Sequence, residues 1–236
     1  MAGNFIFGTL NSSDYDLLIF EKAVDRAPMW GQNAQEVPGR NGDLLLPTGR
    51  MPSVERIYTA VIARNLESNL ATLRNKLASL SGYQRLTDSW SEGEFYQAYI
   101  TNEFQPILTH NRKLAKIELT FVRKPQRFLT LGETPVTFSS DGSIGNPTSF
   151  DAQPLIRIYG AGTVTIGDNI ITVTEVGTEY TDIDCEIMEC YEGAQSRNAY
   201  VEFSSVDFPT LKPGSNGVAL GEGITRVDIT PRWWRV

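Results

Sequence analysis

Residues Ile224-Thr225-Arg226-Val227-Asp228-Ile229-Thr230 constrain the fold more than any other stretch of this chain. Val227 and Ile229 point one way, and Arg226, Asp228 and Thr230 the other, a period of two that marks a half-buried strand. Pro231 follows, and proline cannot donate to a ladder, so the strand must end there or lie at an edge. A strand this close to Trp233 and Trp234 needs sheets already built by the residues before it. The chain is therefore expected to finish as a β-sandwich closed by its last strand.

Upstream residues support that expectation. From Pro154 onward, short runs alternate with turn residues: Leu155 to Tyr159, Val164 to Ile166, Ile170 to Thr174, Tyr180 to Cys190, Tyr200 to Phe203 and Val218 to Ala219. Strands at near-regular spacing mean a sandwich or jelly roll. Pro213-Gly214 and Asn216-Gly217 are expected to be turns. Residues 129–153 are dense in Gly, Pro and Asp and are expected to be loop. A domain boundary is placed near 130, giving 1–130 and 131–236.

The first half reads as β with one helix. Asn4 to Gly8 and Tyr15 to Phe20 are expected to form a hairpin. Ile57 to Ile62, Tyr83 to Leu86, Phe95 to Phe104 and the alternating Ala115, Ile117, Leu119 and Phe121 are expected strands. Leu66, Leu70, Leu73, Leu77 and Leu80 step by four and three, which predicts an amphipathic helix over 66–80. Asn65 is its expected N-cap and Gly82 its terminator. Between Ala27 and Pro52 the chain is rich in Pro and Gly, with Leu44, Leu45 and Leu46 between Arg40 and Arg50. An apolar tip on such an arm is expected to pack on a neighbouring subunit, since exposed leucines suit a lone monomer poorly; the plainer alternative is an Ω-like loop folded on its own domain.

Composition narrows the function. The chain has 236 residues, 41% hydrophobic and 21% charged, as in soluble globular proteins. No run approaches the roughly 18 apolar residues of a membrane span. The N-terminus lacks the pattern of a secretion signal, so synthesis in a cytoplasm is expected. Residues 1–130 hold 15 basic and 13 acidic residues, and residues 131–236 hold 6 and 15. The acidic second half repels nucleic acid, so no nucleic-acid recognition is expected.

Chemistry-bearing residues are few. Cys185 and Cys190 are the only cysteines and His110 the only histidine, too few for a zinc site. If both cysteines lay on one strand, their odd spacing would put them on opposite faces, so buried free thiols are expected. His110 is expected in a loop, without a catalytic partner. Asp182, Asp184 and Glu186 share one face of a strand; a solvated outer face is preferred over a calcium site. No nucleophile elbow, phosphate loop or zincin motif occurs. No catalytic, cofactor or metal residue is assigned, and no enzyme is expected. Trp233 and Trp234 are weighed as a sugar-stacking platform against the plainer reading of one core plug and one edge cover.

Several stretches, in order, resemble one family. They are Val37-Pro38-Gly39-Arg40-Asn41-Gly42, the leucine-striped helix running into Ser81-Gly82-Tyr83-Gln84-Arg85-Leu86, and Lys124-Pro125-Gln126-Arg127-Phe128. Pro154 to Ile166, Asp182-Ile183-Asp184-Cys185-Glu186, Pro209 to Asn216 and Ile229-Thr230-Pro231-Arg232-Trp233-Trp234 complete the set. Together they resemble the distal tail protein, Dit, of long-tailed non-contractile bacteriophages and prophages. The resemblance implies a ring-forming N-terminal β domain with one helix and a C-terminal galectin-like sandwich. It also implies a homo-hexameric hub at the virion tail tip, made in the bacterial host cytoplasm. Implied partners are the major tail protein, the tape-measure protein, the tail-associated fibre or lysin protein and a receptor-binding protein. The alternative is a two-domain glycan-binding adhesion protein that contacts the host surface.

Overall fold

The computed structural model describes residues 3–100, 104–109 and 113–236. His110 and Asn111 lie outside the described residues. The chain is mainly β and forms two compact units, residues 1–127 with Val236, and residues 128–235.

The first unit packs an antiparallel sheet on a helix and carries a separate two-stranded hairpin. The strands of the sheet run in the order Leu10–Asn11, Phe5–Phe7, Gln84–Asp88, Glu94–Ile100, Leu114–Arg123, Val54–Ile62 and Leu17–Leu18. The Leu114–Arg123 strand alternates as its sequence predicts: Ala115, Ile117, Leu119 and Phe121 are buried, while Lys116 and Glu118 are exposed. It pairs with Val54–Ile62 along nine residues, from Ala115 opposite Ile62 to Arg123 opposite Val54. The expected hairpin between the first two apolar runs does not form. Phe5–Phe7 pairs with Leu10–Asn11 and Gln84–Asp88, whereas Leu17–Leu18 pairs with Val54–Ile62. A 3-10 turn at Ser12–Tyr15, in which Asn11 Oδ1 accepts from Ser13 N, redirects the chain to the other end of the sheet. An isolated bridge pairs Gly3, just before the first run, with Ile19 of the second.

The helix spans Leu66–Ser79. Leu70, Leu73 and Leu77 are buried, and Leu66 and Leu80 pack beside them on the same core. Each fully buried leucine contributes roughly 1.5–3 kcal/mol, far above any propensity difference. Asn65 does precede the first turn, but with φ 45 and no side-chain capping bond. It contributes its carbonyl, which accepts from Asn69 N at 2.8 Å. Gly82 stands two residues past the cap residue Leu80, at φ 68.

The second unit holds two antiparallel sheets around one core. The six-stranded sheet runs Val136–Phe138, Ile224–Thr230, Leu155–Gly160, Thr181–Asp184, Glu189–Glu192 and Gln195–Ser196. The five-stranded sheet runs Gly142–Asn146, Gly214–Leu220, Gly162–Ile166, Asn169–Val173 and Val201–Phe203. Ile156, Ile158, Ile183, Val227 and Ile229 of the first meet Val164, Ile166, Ile171, Val173 and Val218 of the second in one apolar cluster. Ile224–Thr230 buries Val227 and Ile229 and ends before Pro231.

Three expectations are corrected in this unit. Residues 129–153 are structured, with a 3-10 helix at Thr130–Glu133 and strands at Val136–Phe138 and Gly142–Asn146. The glycines of the second strand hid its alternation, in which Ile144 and Asn146 point inward. Buried Asn146 donates to Phe150 O and Leu211 O, both at 2.9 Å, which satisfies its amide. Pro213-Gly214 and Asn216-Gly217 are not two turns, because Gly214 to Gly217 open the Gly214–Leu220 strand. Finally, Tyr180 to Cys190 is two strands, joined by a turn at 185–188. Asp184 Oδ1 accepts from Glu186 N at 3.1 Å and Met188 adopts φ 56, so the turn forms without glycine or proline to announce it.

Candidate interaction surface

The Pro- and Gly-rich stretch folds as a β-hairpin. Gln32–Gln35 pairs with Leu44–Pro47, with Asn33 opposite Leu46, Ala34 opposite Leu45 and Gln35 opposite Leu44. Its base is latched: Gly31 N donates to Arg50 O, and Thr48 N to Gly31 O, both at 2.9 Å. Thr48 Oγ1 also donates to Gly31 O at 3.0 Å. A Cβ at Gly31 would lie 2.4 Å from Thr48 Oγ1, so the latch needs glycine there.

Every residue of Gln32–Gln35 is exposed, and Leu44–Pro47 is at best half-buried. Successive side chains of a strand point to opposite faces, so both faces of the hairpin are open. Leu45 is 56% exposed and Leu46 45%. A two-stranded hairpin is marginal by itself in water. The ribbon thus carries apolar side chains on both faces and little packing from its own subunit.

The arm residues Arg40, Leu44, Leu45, Leu46 and Arg50 thus fall on one hairpin, but not as expected. The leucines are on a strand rather than at the tip. Residues 36–43 form the tip, which carries Glu36, Arg40 and Asp43, and Arg50 sits at the base. Sequence reasoning also passed over exposed Phe20, Met29 and Trp30. Met29 is 74% exposed and Trp30 56%, immediately before the hairpin. A tryptophan inside a Pro- and Gly-rich stretch was the signal available for finding them.

The acidic trio is not a solvated face. Asp182 and Asp184 are buried, and each is held by an arginine. Arg157 donates to both Asp182 oxygens at 2.7 and 2.8 Å, and Arg232 to both Asp184 oxygens at 2.6 and 2.9 Å. Glu186 Oε2 lies 3.6 Å from Arg232 Nη1. Burial alone would push the Asp184 carboxyl up, but the Arg232 hydrogen bonds and charge outweigh it and hold it below the usual range. Among the described residues no group of three His, Cys, Asp or Glu is placed to hold a metal ion. No helix among them is long and apolar enough to cross a membrane.

Both cysteines are buried and free. Their premise of opposite faces on one strand is corrected: Cys185 lies in the turn, Cys190 pairs opposite Ile183, and both enter the same core. Burial pushes the Cys190 thiol up to about 12, and burial with the Asp184 charge raises Cys185 further. Trp233 is 4% exposed and packs in the core. Trp234 stacks on Phe150, ring centroids 4.4 Å apart, and donates Nε1 to Asp151 O at 3.0 Å. The two indoles therefore do not form a shared open platform.

In comparisons with known proteins, no family model and no curated protein matches this chain. Solved structures do match. The chain has the fold of phage hub and baseplate proteins. In particular, it superposes on the crystal structure of SPP1 Dit (gp 19.1), a hub of the adsorption apparatus in phages that infect Gram-positive bacteria. That match has a TM-score of 0.74 at 14% identity and covers 97% of this chain and 98% of the other. A chain of the phage P2 baseplate, in its activated conformation with calcium, matches with a TM-score of 0.51 at 11% identity over 97% of each. At such identities the likeness establishes a Dit-like fold.

Proposed function

We propose that this chain is a structural adaptor of a phage tail tip, a distal tail protein that joins the tail tube to the adsorption apparatus. The observation that carries this reading is a Dit-like fold across 97% of the chain, including a latched hairpin with apolar side chains on both faces. Residues 1–130 form the ring-building domain and 131–236 a galectin-like outer domain. Six copies close into a ring by head-to-tail contacts, and hairpin 32–47 of each subunit packs on the next. The major tail protein stacks above the ring, the tape-measure protein passes through it, and the tail-associated fibre or lysin protein docks below. Receptor-binding proteins attach to the outer domains. The protein works by positioning these partners, not by catalysis, and it resides at the tail tip after synthesis in the host cytoplasm.

The charge distribution suits this role. Lysine is scarce in the outer domain, whose balance of 6 basic to 15 acidic residues keeps rings soluble and away from DNA before docking. The glycan-binding alternative lacks comparable support, since Phe150 covers a face of Trp234 and Trp233 is buried. The test is assembly of the purified chain with and without residues 36–43, followed by negative-stain imaging. Rings from the full chain and none from the truncated one are expected. Rings of equal abundance from both would overturn the role given to the arm.

A further inference from the structure

Two Asn-Gly pairs occur in this chain, Asn41-Gly42 and Asn216-Gly217, and the fold treats them oppositely. Asn41 lies at the hairpin tip, exposed, and no other group among the described residues holds its amide. Gly42 has φ 77, and a Cβ placed there would meet nothing within 4 Å. Asn216 is 3% exposed and fixed on every side. Its Oδ1 accepts from Lys212 N at 2.9 Å, and its Nδ2 donates to Lys212 O at 2.9 Å and Gly214 O at 3.2 Å. Its backbone lies in a strand, opposite Ile144.

We propose that Asn41 is a site of spontaneous covalent modification, by deamidation through a cyclic imide, and that Asn216 is protected from it. The Gly42 backbone nitrogen attacks Asn41 Cγ. A new N–Cγ bond forms, the Gly42 amide proton is lost to solvent base, and the Cγ–Nδ2 bond breaks. Nδ2 takes up a proton and leaves as ammonia. Water then opens the five-membered imide. Cleavage at Cγ gives aspartate, and cleavage at the backbone carbonyl carbon gives isoaspartate. The sum is one water consumed and one ammonia released, with no redox change.

Closing that ring needs a free side chain, an accessible Gly nitrogen and a backbone able to rotate. A flanking glycine removes steric opposition, and an unpacked hairpin tip allows the rotation. At Asn216 the strand must open first, which makes the reaction a readout of local unfolding. Modification puts a new carboxylate between Arg40 and Asp43, and the isoaspartate form lengthens the tip backbone by one carbon. The inference stands on the free subunit and does not require the ring.

The experiment is peptide mapping by mass spectrometry of the full chain, held for days in mildly alkaline buffer, with isoaspartyl methyltransferase labelling to score the branched product. Asn41 is expected to convert at least about a hundredfold faster than Asn216, equivalent to about 2.8 kcal/mol of local opening. Asn41→Gln, which disfavours the five-membered ring, is expected to abolish labelling of the tip peptide. In urea the two rates are expected to converge. Equal rates in native buffer, an intact Asn41, or a rate gap that survives urea would each overturn the proposal.

Discussion

Arg56 stands on the core face of the Val54–Ile62 strand, where a guanidinium is costly unless its charge and donors are met. Asp88 and Tyr58 are among the groups that meet them. The Arg56 side chain is ion-paired with Asp88, and its Nε donates to Tyr58 Oη at 2.8 Å. The Tyr58 hydroxyl in turn donates to Asp88 Oδ2 at 2.6 Å. The guanidinium also lies 4.6 Å from the Tyr96 ring centroid. Removing one partner of such a buried pair leaves the other uncompensated, at a cost of about 3–5 kcal/mol. Arg56→Ala is therefore expected to lower the urea midpoint of the first unit sharply, whereas a joint change of Arg56 and Asp88 to apolar residues costs less. Equilibrium unfolding followed by fluorescence checks this. Acid tests the same group. Burial would raise the Asp88 carboxyl, but Tyr58 and Arg56 outweigh it and hold it low, as Arg232 does for Asp184. A depressed folded pKa stabilises fully above the unfolded value of about 3.9, and that stability is lost as pH falls through the folded value. Thermal midpoints are thus expected to be flat above about pH 5 and to fall steadily below about pH 4, with a shallower fall in Asp184→Asn. The raised Cys185 and Cys190 thiols are expected to resist alkylation at neutral pH in the native state and to react in urea; rapid native labelling would contradict their burial.

The hairpin Gln32–Pro47 is the element that departs most from the packing of the rest. Its leucines Leu45 and Leu46 are exposed and lie outside the apolar core of their own subunit, so changing them is expected to spare the fold. Leu45→Asp with Leu46→Asp should leave the melting temperature within about a degree or two, consistent with surface changes of about 0.5 kcal/mol. The same pair should abolish self-association, since each buried leucine is worth roughly 1.5–3 kcal/mol. By contrast Leu73→Ala, in the helix core, should cost about 2–5 kcal/mol. Elements with clean periodicity were legible in the sequence: the Leu66–Ser79 helix from its leucines, Leu114–Arg123 and Ile224–Thr230 from their alternation. Where pairing depends on distant residues, legibility failed. Nothing in Asn4 to Phe20 says that its two runs join different strands, and nothing in Gly142–Asn146 shows that buried Asn146 will find Leu211 O. The hairpin was read as an arm because Pro, Gly and Leu cluster there. The place of Leu44 to Leu46 on a strand was set by register with Gln32–Gln35, which composition does not encode. The acidic trio reads as a solvated face for the same reason, because its arginines, Arg157 and Arg232, come from far along the chain.

For the molecule as a whole, two units are joined in one chain, one bearing an unpacked apolar hairpin and the other a strong acidic balance. The chain has a Dit-like fold, and the proposed ring would supply the packing that this hairpin lacks in its own subunit. If the tip is buried between subunits, conversion of Asn41 should slow in assembled material relative to free subunits, and the same mass map would show it. Self-association should resist salt, because the exposed leucines, Met29 and Trp30 are apolar and salt screens only charge. The most direct measurement is the native mass of the purified chain by light scattering, alone and with the adjacent tail-tip protein. The subunit is 26.2 kDa. A tail-tip hub should give a particle of six subunits, ring-shaped in negative stain, that is lost in the Leu45→Asp, Leu46→Asp variant. A chain that stays monomeric both alone and with that protein would contradict the hub.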